Sequence, residues 1–170
     1  MSSDTINVID LSEYTGPVPR DHIRCMKEQY NVEGAIIQAW GGGNVSGRRN
    51  EYFHETVDNF ISEGITLLDP YVWPPRDWQA ALDWISDYSA LLCGALYLDV
   101  EAGAGVTQEI VDGVIAAGWE PRIYSSYSAW RSIMEDSHAY NALKLWNARY
   151  VRRFQRSDGY YNPGFDVFPA

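Results

Sequence analysis

The chain has 170 residues, of which 46% are hydrophobic and 21% charged, and its formal net charge is −10. This length suffices for one domain with an extensive core and is short for two, so we expect a single domain over residues 1–170. The acidic balance argues against nucleic-acid binding, which needs a basic surface, and no apolar run is long enough to cross a membrane as a helix.

Short β-type runs alternate with amphipathic helical runs along the chain. The predicted strands are, in order, INVIDL (6–11), GAIIQAW (34–40), ITLLDPYVW (65–73), ALYLDVE (95–101), PRIYSS (121–126) and LKLWNARY (143–150). Apolar residues recur between them at helical spacing, in the sets Ile23, Met26, Tyr30; Phe53, Val57, Phe60, Ile61; Trp78, Ala81, Leu82, Ile85; and Ile110, Val111, Val114, Ile115. Gly64 and Gly118 are predicted to end helices, and Thr107 to cap one. The alternation predicts parallel strands joined by helical crossovers, which is an α/β fold.

The alternation of strands and helices fits both a β/α barrel and a doubly wound sheet. The faces of the predicted strands distinguish between these two folds. In the fourth strand, Asp99 and Glu101 follow Tyr97 on one face, while the other face is aliphatic. Similar polar or aromatic groups end the other strands, namely Asp10, Asp69, Tyr71, Trp73, Tyr124, Trp146 and Tyr150. A sheet covered by helices on both sides would be apolar on both, whereas polar groups converging at strand ends are typical of a barrel's catalytic face. We therefore predict a TIM-like β/α barrel.

Motifs for cofactors and metals are missing from the sequence. Cys25 and Cys93 lie in apolar surroundings without CxxC spacing, so we interpret them as small core residues and expect neither a disulfide nor a zinc site. His22, His54 and His138 stand alone, and no HExxH or nucleophile-elbow pattern occurs. The glycine-rich run after the second strand lacks a phosphate-binding pattern and is interpreted as a loop at the rim of the site. We expect no cofactor and no resident metal.

Asp99 and Glu101 are the candidates for chemistry. Residues at i and i+2 on one strand face have Cα atoms roughly 6–7 Å apart, so each carboxylate disfavours ionisation of the other. One of them can then be protonated near neutral pH, which suits glycosidic bond cleavage. The same pair could instead bind Mg²⁺ or Ca²⁺, or be satisfied structural groups. The residues by themselves leave these alternatives open.

The motifs NVIDLSEYTG, AIIQAWGGG, LLDPYVWPP, LYLDVEAG, RIYSSYSAW and LWNARY occur in this order. Together they resemble glycoside hydrolase family 25, the Chalaropsis-type lysozymes, and its lysozyme-like branch most nearly, over about residues 6–150. The resemblance implies an incomplete-looking β/α barrel that hydrolyses the β-1,4 bond between N-acetylmuramic acid and N-acetylglucosamine in peptidoglycan. It also implies an extracellular enzyme acting on cell wall. Because MSSDTINVID has no signal-peptide pattern, export by another route or trimming of a precursor is expected.

The resemblance also implies roles for particular residues. Glu101 matches the general acid, and Asp99 matches the carboxylate that supports attack by the substrate's own acetamido group. Asp10 matches the first-strand acid at the base of the pocket. The implied sugar-binding residues are Asp69, Tyr71, Tyr124 and Trp146, with Asp166 as a stand-in for the acid of a final strand.

Departures from the family pattern affect the rim and the C-terminus. The second strand reads QAWGGG where bacterial members carry K-A-T-E-G, and the chain ends at GFDVFPA where the family continues with two further strands. Either Asp166 replaces the final acid or the closing strands are absent. The second interpretation is favoured, and it leaves open edges through which the chain could self-associate. The alternative function is a catalytically inactive carbohydrate-binding or assembly protein. A chitinase is less favoured, because Gly94 and Tyr97 break the D-x-x-D-x-D-x-E pattern.

Overall fold

The computed structural model describes residues 6–41, 47–103 and 105–147. The strands in these ranges are β1 (Asn7–Leu11), β2 (Val32–Gly41), β3 (Arg48–Arg49), β4 (Leu67–Val72), β5 (Ala95–Asp99), β6 (Glu120–Ser125) and β7 (Lys144–Asn147). The α-helices are α1 (Arg20–Tyr30), α2 (Phe53–Ser62), α3 (Trp78–Ile85), α4 (Gln108–Ala116) and α5 (Tyr127–Ile133). Short 3₁₀ helices span Glu13–Thr15, Pro75–Asp77 and Ser86–Leu91. The predicted strands and helices are present in the described ranges, whereas β3 and α5 were not predicted. Residues 148–150 of the last predicted strand lie outside the described residues.

The strands form one curled sheet in the order β1-β2-β4-β5-β6-β7, and each neighbouring pair in this series is parallel. The short strand β3 pairs antiparallel with β2. The sheet curls into a half-barrel with the helices on its convex side, which is the predicted incomplete TIM-like α/β barrel. Within the described ranges β1 and β7 are the edge strands and do not pair with each other.

Local signals in the sequence account for the helix boundaries. The Thr107 hydroxyl accepts a hydrogen bond of 3.3 Å from the Ile110 amide at the start of α4, as predicted. Gly64 and Gly118 follow α2 and α4 with φ of +75° and +89°, a left-handed conformation that costs glycine little. Ser126 caps α5 in the same way as Thr107, by accepting from the Ala129 amide.

The main core lies between the convex side of the sheet and the helices. Leu96, Leu98 and Val100 are fully buried there, against residues such as Phe53 and Phe60 of α2. A second, smaller cluster lies on the concave side and consists of Ile36, Tyr71, Ala95 and Tyr97, with Trp146 packed against it. Alternate residues of the same strands therefore build two different surfaces.

Several residues that were expected in the core are exposed. Cys25 and Cys93 are both exposed, contrary to the prediction. Cys25 is two positions, or about 200° around the helix, from the buried Ile23, so it points away from the sheet. Ile115 is 55% exposed because it lies about 100° beyond Val114 around α4, and Tyr30 is 51% exposed at the last residue of α1. In the described part of the chain, no helix has the length and apolar character needed to cross a membrane.

Candidate active site

A cleft of about 330 Å³ opens on the concave side, where the parallel strands end. All six strands of the parallel series, or the loops that follow them, contribute side chains to it. Its lining residues are Asp10, Ser12, Tyr14, Gln38, Tyr71, Trp73, Asp99, Glu101, Ala102, Tyr124 and Trp146. The carboxyl end of a parallel β/α sheet is the usual place for an active site, because loops from several strands meet there.

Strand register explains why the lining residues meet. Asp99, the last residue of β5, is the partner of Tyr124 on β6, and Tyr124 is the partner of Trp146 on β7. Residues in register on neighbouring parallel strands point to the same face. Asp10 reaches the cleft from β1. The structure thus brings together Asp10, Tyr71, Asp99, Glu101, Tyr124 and Trp146 among the predicted site residues.

Asp99 is the most enclosed of the three acids in the cleft. Its relative exposure is only 7%, and its Oδ1 atom has no hydrogen-bond partner among the described residues. Burial raises the pKa of Asp99 to about 8, and the negative charges of Glu101 and Asp10 add to this effect. Burial therefore favours the protonated form of Asp99 at neutral pH.

Asp10 and Glu101 lie on either side of this buried acid. Asp10 belongs to the edge strand and is reached by solvent through the open side, yet partial burial and the charge of Glu101 raise its pKa to about 6. Glu101 was predicted at the end of a strand, but β5 ends at Asp99, so Glu101 lies in the following loop and is more exposed. Burial raises the pKa of Glu101, and a hydrogen bond with Tyr124 opposes the rise.

Aromatic side chains form much of the cleft wall. The Trp146 ring meets Tyr124 edge to face at a centroid distance of 4.7 Å, and it meets Tyr97 at 5.6 Å. Tyr71 is buried beside the acids, and desolvation with their negative charges raises its pKa, so its hydroxyl stays neutral and can donate a hydrogen bond. Flat rings next to hydrogen-bonding groups are suited to binding sugar rings.

Tyr14, Ser12 and Gln38 line the cleft but were not predicted as site residues. Tyr14 is 85% exposed at the rim, in the loop that follows β1. This loop is fixed by the Glu13 amide, which donates to Gln38 Oε1 at 2.8 Å, and by Arg48, which pairs with Glu13 at 3.0 Å. Its position directly after the strand that carries Asp10 is the sequence signal that could have identified it.

Asp69 does not line the cleft, although it was predicted to bind sugar. It lies two residues before Tyr71 on β4, about 6.6 Å further from the carboxyl end of the sheet. There its Oδ1 accepts a hydrogen bond of 3.2 Å from the Ala95 amide, and Oδ2 lies 3.9 Å from the Arg122 guanidinium. Arg122 also donates to the Tyr97 hydroxyl at 3.0 Å, so these residues form a polar layer deeper in the half-barrel. Asp166 lies outside the described residues.

The acids of the cleft are not arranged as a metal site. Over the described ranges, no group of at least three His, Cys, Asp or Glu side chains has a geometry that could hold a metal ion. Carboxyl groups can also transfer protons and form hydrogen bonds with a ligand.

The fold is similar to that of a solved catalytic domain. That domain belongs to endolysin ply40 from a bacteriophage of Listeria monocytogenes, with a TM-score of 0.57 and 19% sequence identity, covering 88% of this chain and 76% of that chain. The spore cortex lytic enzyme SleM of Clostridium perfringens aligns with a TM-score of 0.48 and 14% identity, and the alignment covers 83% of this chain and 52% of SleM. No protein-family model and no curated protein matches the sequence. The similarity to the endolysin domain shows a shared fold.

Proposed function

We propose that the protein is a peptidoglycan hydrolase, and specifically an N-acetylmuramidase that cleaves the β-1,4 bond between N-acetylmuramic acid and N-acetylglucosamine. The observation that carries the proposal is the convergence of Asp10, Asp99 and Glu101 in one aromatic-walled cleft at the carboxyl end of a half-barrel. The shared fold with an endolysin catalytic domain supports the same substrate class.

In the proposed first step, Glu101 is the general acid. It protonates the glycosidic oxygen while the bond from that oxygen to the anomeric carbon breaks. Its place in an accessible loop, with a hydrogen bond to Tyr124, suits a group that must reach the leaving oxygen. The carbonyl oxygen of the sugar's own acetamido group attacks the anomeric carbon from the other face and forms a cyclic oxazolinium.

Asp99 would stabilise that intermediate by accepting a hydrogen bond from the acetamido N–H. Its unpartnered Oδ1 provides an acceptor inside the cleft. Glu101, now a carboxylate, then removes a proton from water as the water oxygen bonds to the anomeric carbon. The oxazolinium opens, the acetamido group is restored, and the product keeps the β configuration.

The pKa values of the acids suggest whether Asp99 or Glu101 holds the proton that the reaction needs. In the free protein Asp99 holds it, because the pKa of Asp99 is raised to about 8. An N–H donor from the substrate favours the ionised form of Asp99, so binding would shift the proton toward Glu101. Asp10, with a pKa raised to about 6, would remain largely ionised and favour protonation of its neighbours. Substrate binding would thus produce the reactive protonation state.

A catalytically inactive carbohydrate-binding or assembly protein is the second candidate. It is favoured by the open half-barrel, since β1 and β7 are unpaired edges within the described ranges. An exposed edge can be covered by another chain, including a second copy. This candidate predicts saturable binding of muropeptides without turnover.

Mass spectrometry of the products from purified peptidoglycan tests the proposal. We expect muropeptides with reducing N-acetylmuramic acid ends from the wild-type protein. Glu101→Gln should reduce their formation by about 10³-fold while circular dichroism and thermal unfolding remain close to wild type. As a control, Glu109→Gln makes the same change on the exposed face of α4 and should leave the rate unchanged. Equal activity of the Glu101→Gln variant would reject the proposed mechanism, and no products from the folded wild-type protein would favour the binding function.

A further inference from the structure

The charge inside the cleft is not balanced by basic side chains. Asp10, Asp99 and Glu101 line it, whereas no lysine, arginine or histidine does so among the described residues. Two arginines on adjoining strands are paired elsewhere: Arg48 contacts Glu13, and Arg122 contacts Glu120 and Tyr97. The cleft therefore presents a negative field, due near neutral pH to Asp10 and Glu101, to any ligand that enters it.

The pKa values of the three acids agree with this imbalance. Burial raises the pKa of Asp10 and that of Asp99, and the charges that add to this effect are those of the neighbouring acids: Glu101 acts on Asp10, and Glu101 and Asp10 act on Asp99. For Glu101 the opposing influence is a neutral hydrogen bond with Tyr124, and no basic group contributes. A positive group bound in the cleft would relieve the repulsion among the acids.

A separate observation shows that the cleft is also short of hydrogen-bond donors. Asp99 is more than nine-tenths buried and lines the cleft, and its Oδ1 has no hydrogen-bond partner among the described residues. An unsatisfied buried acceptor is costly, so a donor from a ligand is favoured there. The mechanism proposed above assigns this acceptor to the acetamido N–H of the cleaved sugar, so a positive group on a neighbouring sugar would lie beside the two more exposed acids, Asp10 and Glu101.

We propose that the cleft selects amino-sugar glycans that are partly de-N-acetylated, so that a protonated amine enters the negative field of Asp10 and Glu101 beside the buried Asp99. The selectivity rests on the proposed function. Since the acetamido group is needed at the sugar that is cleaved, the free amine belongs to a neighbouring sugar of the same chain. The same field disfavours a glycan that carries free carboxylates near the cleaved bond.

Binding of paired oligosaccharides tests this selectivity. The probes are β-1,4-linked glucosamine oligomers and N-acetylglucosamine oligomers of equal length, titrated calorimetrically into the wild-type protein near pH 7, where Asp10, with its pKa raised to about 6, is largely ionised and many of the amines are still protonated. Glucosamine oligomers have no acetamido group and so cannot be cleaved by the proposed route. We expect them to bind about tenfold more tightly at low ionic strength, and the ratio to shrink as salt is added.

Matched variants separate the cleft from the overall charge of the chain. Asp10→Asn should remove most of the preference for glucosamine oligomers. Asp83→Asn makes the same change of net charge at an exposed position of α3 and should leave the preference unchanged. Equal effects of both variants would attribute the preference to the net charge of −10 and overturn the proposal.

The outcomes distinguish this selectivity from the proposed hydrolysis. Equal or tighter binding of the N-acetylated oligomer, or no binding of either, would overturn the selectivity. Cleavage of fully N-acetylated peptidoglycan without any preference for amines would leave the hydrolase proposal intact and reject the selectivity. A preference for amines without cleavage of any peptidoglycan would reject the hydrolase and retain a cleft for cationic glycans.

Discussion

The convex and concave faces of the sheet are built from alternate residues of the same strands, and they differ in what they bury. On β5, Leu96 and Leu98 point to the convex side and are fully covered by helices. Tyr97 and Asp99 point to the concave side, where Asp99 is buried without a partner for Oδ1. Burying an unpaired carboxyl group destabilises a protein, whereas burying aliphatic groups stabilises it. The convex face therefore offsets the cost of the concave one.

The largest expected effect comes from Asp99→Asn. We expect activity on peptidoglycan to fall by about 10³-fold, because an amide cannot take the ionised form that the acetamido step needs. The variant should nevertheless be more stable than wild type at pH 8–9, because the wild-type protein must there either keep the buried Asp99 protonated or bury its negative charge. Kinetics and thermal unfolding of the same preparation measure the two effects.

The sign of the stability effect follows from the shift in pKa. Asp99 has a native pKa raised from 3.8 to about 8, so the native state binds more protons than the unfolded state in that range. The free energy of unfolding contributed by Asp99 therefore falls as pH rises through this window. The gain from Asp99→Asn should shrink as pH is lowered toward 4, and a gain that is constant with pH would contradict the assigned cause.

Leu98→Ala, one residue earlier and on the opposite face, should give the opposite pattern. Leu98 is fully buried in the main core, so the substitution leaves a cavity and should lower the free energy of unfolding by about 2–5 kcal/mol. Denaturant unfolding measures this loss. Activity per folded molecule should stay within about twofold of wild type at a temperature where the variant remains folded. A large loss of kcat in folded Leu98→Ala would show that the two faces are not independent.

The pH dependence of kcat/KM sharpens the description of the concave face. The proposed reaction needs one proton in the acid group and an ionised carboxylate beside it, and the raised pKa values are about 6 for Asp10 and about 8 for Asp99. We expect a bell-shaped profile with its maximum between these values and a decline of about tenfold per pH unit well outside them. A profile that is flat from pH 5 to pH 9 would contradict the assignment of these acids.

Tyr124→Phe is expected to have the smallest effect. It removes the hydroxyl whose hydrogen bond lowers the pKa of Glu101, so the alkaline limb of the kcat profile, which reports the enzyme–substrate complex in which Glu101 holds the proton, should move to higher pH. One lost hydrogen bond corresponds to about 1 kcal/mol, which predicts a fall in kcat of about fivefold. Tyr127→Phe, at an exposed position of α5, is the matched control and should leave both quantities unchanged.

Periodicity in the sequence identified the strands and their two faces because side chains alternate strictly along a strand. The helix boundaries were predicted for a similar reason, since Thr107, Gly64 and Gly118 act through their immediate neighbours. The exposed cysteines show the limit of this approach. Cys25 has apolar neighbours in the sequence, but its direction depends on how α1 rotates against the sheet, and that is decided by the packing of Ile23.

The sequence by itself determined the α/β class, the concave placement of Asp10 and Asp99, and the aromatic character of the strand ends, since these follow from local alternation. Only the tertiary structure decided which of these residues share the cleft. Register places Tyr71 at its wall and leaves Asp69 one layer deeper with Arg122, while the loop after β1 brings in Tyr14. The absence of a partner for Asp99 Oδ1 among the described residues is likewise a tertiary property. Depth and desolvation depend on strands that are distant in sequence, so local patterns do not contain them.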